Sequence, residues 1–192
     1  MMKTLKLILT LLACTAALVT AKEGAVQCGN LIYAGTKTSE CFSDEFLTTV
    51  QQKTSISTER RFKAVKMAAD ELFKFPFVIM TGEGDFTLTS KERKNLKKYL
   101  ENGGFLLASP SCSDEDWAKA FEREIKRIFK KDALKDIKQD HGLFKTIFNV
   151  KELQCKSGRT TKLQGITVNG KLVVCYTPDG LNDTTHTEGC CC

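Results

Sequence analysis

Residues 75–113 constrain the fold more strongly than any other part of this chain. They contain two short apolar runs, 77–80 and 105–108, separated by a mostly polar segment. Near-continuous apolar runs of this length are typical of parallel strands that are buried on both faces. The two runs therefore predict neighbouring parallel strands joined by a crossover connection.

The polar segment between the two runs carries the signals of a helix. Thr89 and Glu92 form a T-x-x-E capping box, which satisfies free amides at a helix start. Apolar residues at 96, 99 and 100 then share one helical face. Gly103 supplies the left-handed residue that commonly ends a helix. Residues 75–113 are thus predicted to form one βαβ unit.

The remaining patterns extend this unit to an α/β domain. They predict strands at 26–34 and 62–67, a short helix near Phe46, and a helix with Ser113 as N-cap that ends about Phe129. Asn169 and Gly170 join two β-rich runs, which is typical of a type I′ hairpin. Short connections of this kind indicate layers of helices around a mostly parallel sheet, with the hairpin at its edge.

The first 21 residues have the layout of a secretory signal peptide. Lys3 and Lys6 precede an apolar run at 7–19, and small residues around Ala21 form a cleavage site. The protein is therefore predicted to be exported, either periplasmic or secreted, with a single domain over residues 22–192. The alternative is a lipidated Cys14, which is disfavoured because an apolar segment follows this cysteine.

The charge balance argues against a nucleic-acid partner. The formal net charge is +6, and it falls to +4 when Lys3 and Lys6 are removed, because 27 basic residues then face 23 acidic ones. A surplus this small, without interleaved aromatic residues, is typical of a solvated surface. After residue 21 no apolar run is long enough to span a bilayer, so the mature chain is predicted to have no transmembrane span.

Eight of the 9 cysteines remain once Cys14 leaves with the signal peptide. In an exported protein such a set indicates disulfides first. Two pairs are predicted because each would close a loop across a strand or turn. They are Cys28 with Cys41 and Cys155 with Cys175.

The C-terminal residues offer a metal site as an alternative. His186, Cys190, Cys191 and Cys192 carry soft ligands suited to zinc or copper. Their spacing is not that of a known zinc finger, and adjacent thiols rarely share one metal well. Disulfide or intermolecular pairing is therefore the favoured interpretation of this cluster.

Ligands of open α/β sheets usually bind beyond the carboxyl ends of the strands. The loops after the two predicted strands, and the polar pair at 140–141, are therefore predicted to form one ligand-binding rim. The glycine spacing matches neither the phosphate loop nor the dinucleotide fingerprint, so no cofactor is predicted. The candidate rim residues are Gly82, Glu83, Gly84, Asp85, Ser109, Ser111 and Asp140.

Cys112 and His141 are the candidate catalytic pair. Cys112 lies between a strand end and a helix start, where the helix N-terminus lowers the pKa of a thiol. His141 is the only base candidate inside the domain, because His186 lies near the C-terminus. The structural alternatives are a packed or disulfide-bonded Cys112 and a loop histidine that hydrogen-bonds backbone. No G-x-C-x-G nucleophile elbow surrounds Cys112.

The ordered set of motifs resembles a bacterial family. Residues 75–109 are followed by a Trp/Phe helix, then by Asp-His-Gly-Leu-Phe at 140–144 and Tyr-Thr-Pro-Asp-Gly-Leu-Asn at 176–182. In this order they resemble the bacterial domain of unknown function numbered 4159, over most of the mature chain. That family is similar to the class I glutamine amidotransferase superfold. The resemblance therefore implies a flavodoxin-like α/β sandwich, and it implies no established activity.

The sequence departs from the family pattern in three places. Ser109 and Pro110 stand where the family often carries paired aspartates, which puts a carboxylate-based role in doubt. Gly142 stands where a proline is usual. The family domain continues past a cysteine-rich run, so the resemblance implies that this domain is truncated after Cys192.

Three functional hypotheses follow from these patterns. The leading one is a non-enzymatic module that binds a partner protein or a small molecule at the rim. The second is a hydrolase or amidotransferase-like enzyme that uses Cys112 with His141. The third is a metal or redox role for the C-terminal cysteines.

Overall fold

The computed structural model describes residues 24–38, 44–129, 132–154 and 160–180. These residues form three α-helices and one seven-stranded sheet. The helices are α1 (Glu45–Lys53), α2 (Ser90–Glu101) and α3 (Glu115–Ile128), and the strands are β1 (Cys28–Ile32), β2 (Lys63–Lys66), β3 (Phe77–Met80), β4 (Phe105–Ala108), β5 (Lys135–Asp136), β6 (Gln164–Val168) and β7 (Lys171–Tyr176).

The strand order is β2-β1-β3-β4-β7-β6-β5. The first five strands of this order are parallel, and β6 runs antiparallel to both of its neighbours. The parallel part has the 2-1-3-4-5 order of flavodoxin-like sheets, with β7 in the fifth place. The predicted α/β layered class with a mostly parallel sheet is therefore confirmed. The order reverses between β1 and β3, which is the switch point of the sheet.

The main core lies between the sheet and helices α2 and α3. Val78, Leu106 and Val174 are aligned across β3, β4 and β7 and point into this core. Trp117 and Phe121 of α3 pack there with stacked rings, whose centroids are 5.3 Å apart. Helix α3 is strongly amphipathic because its apolar residues recur on one face. This layer fixes the start of α3 beneath the carboxyl ends of the strands.

The opposite face of the sheet carries α1 and residues 137–153. Phe46 of α1 stacks on Phe77 with ring centroids 6.0 Å apart, and Phe77 stacks on Phe105 at 5.9 Å. Further along, Phe144 forms a smaller buried cluster with Cys175 of β7. The two faces together make the layered sandwich.

Local sequence signals predicted the central βαβ unit and the hairpin correctly. The amide of Thr89 donates to a Glu92 carboxylate oxygen at 2.7 Å, and the amide of Glu92 donates to Thr89 Oγ1 at 3.2 Å. The predicted capping box is thus confirmed. Asn169 and Gly170 have φ values of 50° and 77°, as a type I′ turn requires. The hairpin strands β6 and β7 are confirmed as well.

The predicted N-cap of α3 is wrong by one residue. Asp114, and not Ser113, caps the helix, and its carboxylate accepts the Trp117 amide at 2.7 Å. Ser113 has a φ of 53°, and its Oγ accepts the Gly180 amide at 3.2 Å. The carboxylate therefore fills the capping position while the serine ties down a neighbouring loop.

The two predicted disulfides are also wrong, because Cys28 and Cys175 are free and buried. They lie inside the sheet, on β1 and β7. A buried free cysteine at such a position packs as a small apolar side chain. Burial raises the pKa of the Cys28 thiol, and it raises the pKa of Cys175 to about 11. Both thiols are therefore poor nucleophiles at neutral pH.

Several sequence predictions lie outside the described residues. The signal peptide with Cys14 falls in residues 1–23, and the C-terminal cluster falls in 181–192. Cys41 and Cys155 also lie outside the described ranges. In the part of the chain that the structure describes, no helix is long and apolar enough to cross a bilayer.

Candidate functional site

A cavity of about 300 Å³ opens at the carboxyl ends of β1, β3 and β4. It lies between the loops that follow these strands, at the point where the strand order reverses. Open α/β sheets bind ligands at this position because the two adjacent loops diverge there and leave a crevice. We call it the switch-point pocket. Its lining residues are Tyr33, Lys37, Thr38, Gly82, Glu83 and Ser111.

The floor of the switch-point pocket is a fixed aromatic pair. Tyr33 is fully buried, and its hydroxyl donates to the Thr81 carbonyl at 2.9 Å. The same oxygen accepts the Trp117 Nε1–H at 2.6 Å. Burial raises the pKa of Tyr33 to about 12, so the phenol stays neutral at physiological pH. The floor therefore offers a rigid surface and no titrating group.

Position 82 must be a glycine because the space above this floor does not admit a side chain. A Cβ at position 82 would lie 2.2 Å from the Tyr33 hydroxyl oxygen and 3.0 Å from Trp117 Nε1. Both atoms belong to buried side chains that hydrogen-bond each other, so neither yields easily. The missing side chain lets the loop after β3 pass close over the aromatic pair.

We expect Gly82→Ala to lower the free energy of unfolding by about 1–3 kcal/mol, because overpacking forces the Tyr33–Trp117 pair apart. Urea denaturation measures this loss. Gly142→Ala is the matched control, since a Cβ there meets nothing within 4 Å. Equal stabilities of the two variants would contradict the close packing. In a Tyr33→Phe background the Gly82→Ala loss should shrink, because the clashing oxygen is gone.

Asp114 ties the loop after β3 to the start of α3. One carboxylate oxygen accepts the Gly84 amide at 3.1 Å and the Trp117 amide at 2.7 Å. Gly84 has a φ of 69°, which glycine adopts without strain. The wall of the pocket is therefore held by the same carboxylate that caps the helix.

Arginines hold the outer part of the same loop. Arg123 donates to the Asp85 carboxylate at 2.8 Å and also to the Phe86 carbonyl. The hydrogen bond from Arg123 lowers the pKa of Asp85. Arg93 donates to the Leu88 carbonyl, and it pairs with the buried carboxylate of Glu124 at 3.0 Å. The loop after β3 is thus anchored along its length to α2 and α3.

Lys37 supplies positive charge to the pocket. Its ammonium donates to the Glu83 carbonyl at 3.1 Å, which leaves two further N–H donors on the group. None of the salt bridges within the described ranges involves Lys37. The nearby carboxylates of Asp85 and Asp114 are engaged by Arg123 and by backbone amides. Among the described residues the Lys37 ammonium thus forms no salt bridge, and its charge contributes, after the hydrogen bond from Arg123, to the lowered pKa of Asp85.

The predicted rim is assembled only in part. Gly82, Glu83 and Ser111 line the pocket. Gly84 and Asp85 continue the same loop, and Ser109 is fully buried below it. Sequence reasoning missed Tyr33, Lys37 and Thr38. Their position just after the first predicted strand would have identified them only if the strand order had been known.

Asp140 and His141 lie at the same edge of the sheet but farther along it. They follow β5, which is separated from β4 by β7 and β6. Three strand spacings of ~4.8 Å put the ends of β4 and β5 about 14 Å apart. His141 is exposed, and its Nδ1 accepts the Leu143 amide at 3.1 Å. This contact caps a short 3₁₀ turn, and the catalytic pairing of His141 with Cys112 stays a prediction.

Within the described ranges, no group of three or more His, Cys, Asp or Glu side chains is arranged to hold a metal ion. The predicted metal candidates, His186 and Cys190 to Cys192, lie outside those ranges.

Comparison with known proteins identifies one family. Residues 29–185 match the family model of a domain of unknown function, DUF4159. This range contains every strand and helix described above, apart from the first residue of β1. No curated protein matches the chain.

Proposed function

We propose that this chain, which belongs to the DUF4159 family of domains of unknown function, binds a small polar ligand in its switch-point pocket without catalysis. One observation carries the proposal: the cavity of about 300 Å³ lies where the strand order reverses between β1 and β3. Ligands of open α/β sheets bind at this position. Lys37 and Ser111 bring polar groups to it from two different loops.

The size and charge of the pocket favour a small anion. A volume of about 300 Å³ equals that of about ten water molecules in the liquid. The ammonium of Lys37 is the positive group among the described lining residues, and it retains two N–H donors. A carboxylate or phosphate would accept these donors and replace lost hydration.

Two groups that could take part in a reaction at the pocket are engaged in other contacts or lie at a distance from it. Acid-base or nucleophilic catalysis requires a base within hydrogen-bond reach of its partner. The Tyr33 hydroxyl is already committed to Thr81 and Trp117. The predicted base, His141, follows a strand three places beyond β4 in the sheet. These contacts support binding over chemistry.

We expect inorganic phosphate or succinate to raise the melting temperature of the protein and to change the fluorescence of Trp117, the single tryptophan of the chain. Its indole lies directly beneath the pocket at Gly82, so occupancy of the pocket alters its environment. Lys37→Met should reduce the affinity for these anions at least tenfold. Lys66→Met, an exposed lysine on β2, is the matched control and should behave as the wild type.

Neutral succinamide completes the panel. If it binds as well as succinate and Lys37→Met has no effect, the ligand is polar but not anionic. If no probe binds near Trp117 in any variant, the binding proposal itself is wrong. A turnover of candidate amide or ester substrates that disappears on His141→Ala would favour the enzyme hypothesis instead.

We also propose that the protein acts outside the cytoplasm. The support is the basic start, the apolar run and the small residues before Lys22. N-terminal sequencing of the protein secreted by its expression host should find Lys22 at the start of the mature chain. An intact Met1 in the fractionated cytoplasm would contradict export.

A further inference from the structure

We propose that residues 138–151, which we call the apolar loop, dock the protein on the surface of an anionic lipid bilayer. Three of the six large apolar side chains that the described ranges leave exposed lie in this loop: Leu143, Ile147 and Phe148. Apolar side chains exposed singly are common on protein surfaces, whereas several at one place indicate an interaction surface.

The fold holds the apolar loop closed at its base. The side-chain amide of Gln139 donates to the Val150 carbonyl, and the Val150 amide donates to the Phe144 carbonyl at 2.8 Å. The Phe144 ring is buried in one cluster with Leu163 and Cys175. Compact surface loops whose ends lie close together are frequently functional. One inward aromatic residue thus anchors the loop, and the exposed apolar side chains lie on either side of it in the chain.

Three exposed lysines accompany these apolar side chains. Lys138 and Lys151 lie at the base of the apolar loop and line one cavity, and Lys145 lies between them in the chain. None of the ion pairs within the described ranges involves any of the three. Asp140 is the single acidic residue of the loop, so three lysines against one carboxylate leave a formal charge of +2. The loop therefore presents positive charge beside its apolar surface.

The composition of the apolar loop favours a lipid surface over a protein partner. Tryptophan, tyrosine and arginine contribute most of the binding energy at protein interfaces, and lysine is depleted there. Residues 138–151 contain none of the first three and three lysines. Segments that lie in the membrane interface combine Leu or Phe side chains, which enter the headgroup boundary, with basic side chains that attract anionic headgroups. The apolar loop offers both kinds of side chain at one place.

A tryptophan introduced in the apolar loop tests the docking directly. The single native tryptophan, Trp117, is fully buried. We expect vesicles of phosphatidylglycerol mixed with brominated phosphatidylcholine to quench the fluorescence of full-length Phe148→Trp protein well beyond that of the wild type. Vesicles of brominated phosphatidylcholine alone should bind at least tenfold more weakly, because they offer the lysines no anionic surface.

Two isoleucines with the same exposure provide a matched pair for the apolar contribution. Ile147 and Ile56 are each 49% exposed. Ile147 follows β5 and Ile56 precedes β2, so they lie at opposite edges of the sheet. Ile147→Ser should lower the affinity for phosphatidylglycerol vesicles about tenfold in a sedimentation assay, because the side chain no longer enters the bilayer. Ile56→Ser should bind as the wild type does.

A triple substitution measures the contribution of charge. Each lysine near an anionic surface strengthens binding about fivefold, so replacing all three lysines of the apolar loop by glutamine should weaken binding about a hundredfold. The matched control replaces three exposed lysines elsewhere and removes the same net charge. It should weaken binding less than about tenfold, because charges beyond a Debye length from the surface are screened. The control lysines are Lys91, Lys94 and Lys171.

The docking proposal fails on any of three results. The first is an unquenched Phe148→Trp variant, and the second is an equal loss of affinity for Ile147→Ser and Ile56→Ser. The third is a self-association that Ile147→Ser abolishes in the absence of lipid, which would assign the apolar loop to a second copy of the chain. Lys37→Met should leave vesicle binding unchanged, because Lys37 lines the switch-point pocket and not the loop. Membrane docking and anion binding in the pocket can therefore fail separately.

Discussion

Glu124→Ala is expected to lower the free energy of unfolding by about 3 kcal/mol, the lower end of the range for breaking a buried ion pair. The carboxylate is 1% exposed, and it pairs with Arg93 at 3.0 Å and Arg127 at 2.6 Å. Its removal leaves the arginines without their shared counter-ion. Because they are 26% and 48% exposed, water relieves part of this cost.

Glu115→Ala is the matched control on the same helix. Its side chain is 84% exposed and pairs with Lys119 at 3.3 Å. An exposed pair contributes roughly 0–1 kcal/mol, so this variant should unfold close to the wild type in urea. Equal losses for the two variants would show that burial of Glu124 carries no special stability. Glu124→Gln should fall between them, because it keeps the volume and loses the charge.

The Glu124 network also reaches the functional site. Arg93 holds the Leu88 carbonyl, and Arg123 holds the Phe86 carbonyl and Asp85. Both carbonyls belong to the loop whose first residues form the wall of the switch-point pocket. Glu124→Ala should therefore weaken phosphate or succinate binding as well as stability, although no atom of Glu124 lines the pocket.

The elements that the sequence predicted correctly are those with local causes. Three such features are the capping box at Thr89, the apolar run at 77–80 and the Asn169-Gly170 turn. Each involves only a few consecutive residues, so each can be recognised in the sequence before the fold is known. The two-residue strand β5 was missed because its pairing with β6 depends on residues far along the chain, since Lys135 pairs with Gly165 and Asp136 pairs with Gln164. Long-range pairing leaves no local pattern.

The sequence indicated which edge of the sheet would carry the pocket, but it did not identify all of the residues that line it. Parallel strands bring their carboxyl ends to one edge, so the loop after β3 was expected there. Tyr33 and Lys37 could not be identified, because only the order β2-β1-β3 puts the loop after β1 beside it. The same order puts β7 and β6 between β4 and the strand before Asp140 and His141, a pair that the sequence analysis placed on the same rim.

Trp117→Ala is the other change with a large expected effect, a loss of about 3–5 kcal/mol, as for other buried aromatic residues. Trp117 is fully buried. Its ring stacks on Phe121 at 5.3 Å and lies 5.6 Å from the Phe86 ring. Removing it leaves a cavity in the floor of the pocket. Phe148→Ala, at an aromatic that is 57% exposed, should cost less than about 0.5 kcal/mol.

A second substitution separates packing from hydrogen bonding at Trp117. Trp117→Phe keeps a stacked ring but removes the Nε1–H that donates to the Tyr33 hydroxyl at 2.6 Å. Tyr33→Phe removes the same bond from its other side. Since either change already breaks it, the double variant should lose less stability than the sum of the single losses, as urea denaturation followed by circular dichroism would measure. Additive losses would mean that the bond contributes nothing and that ring packing alone holds the floor.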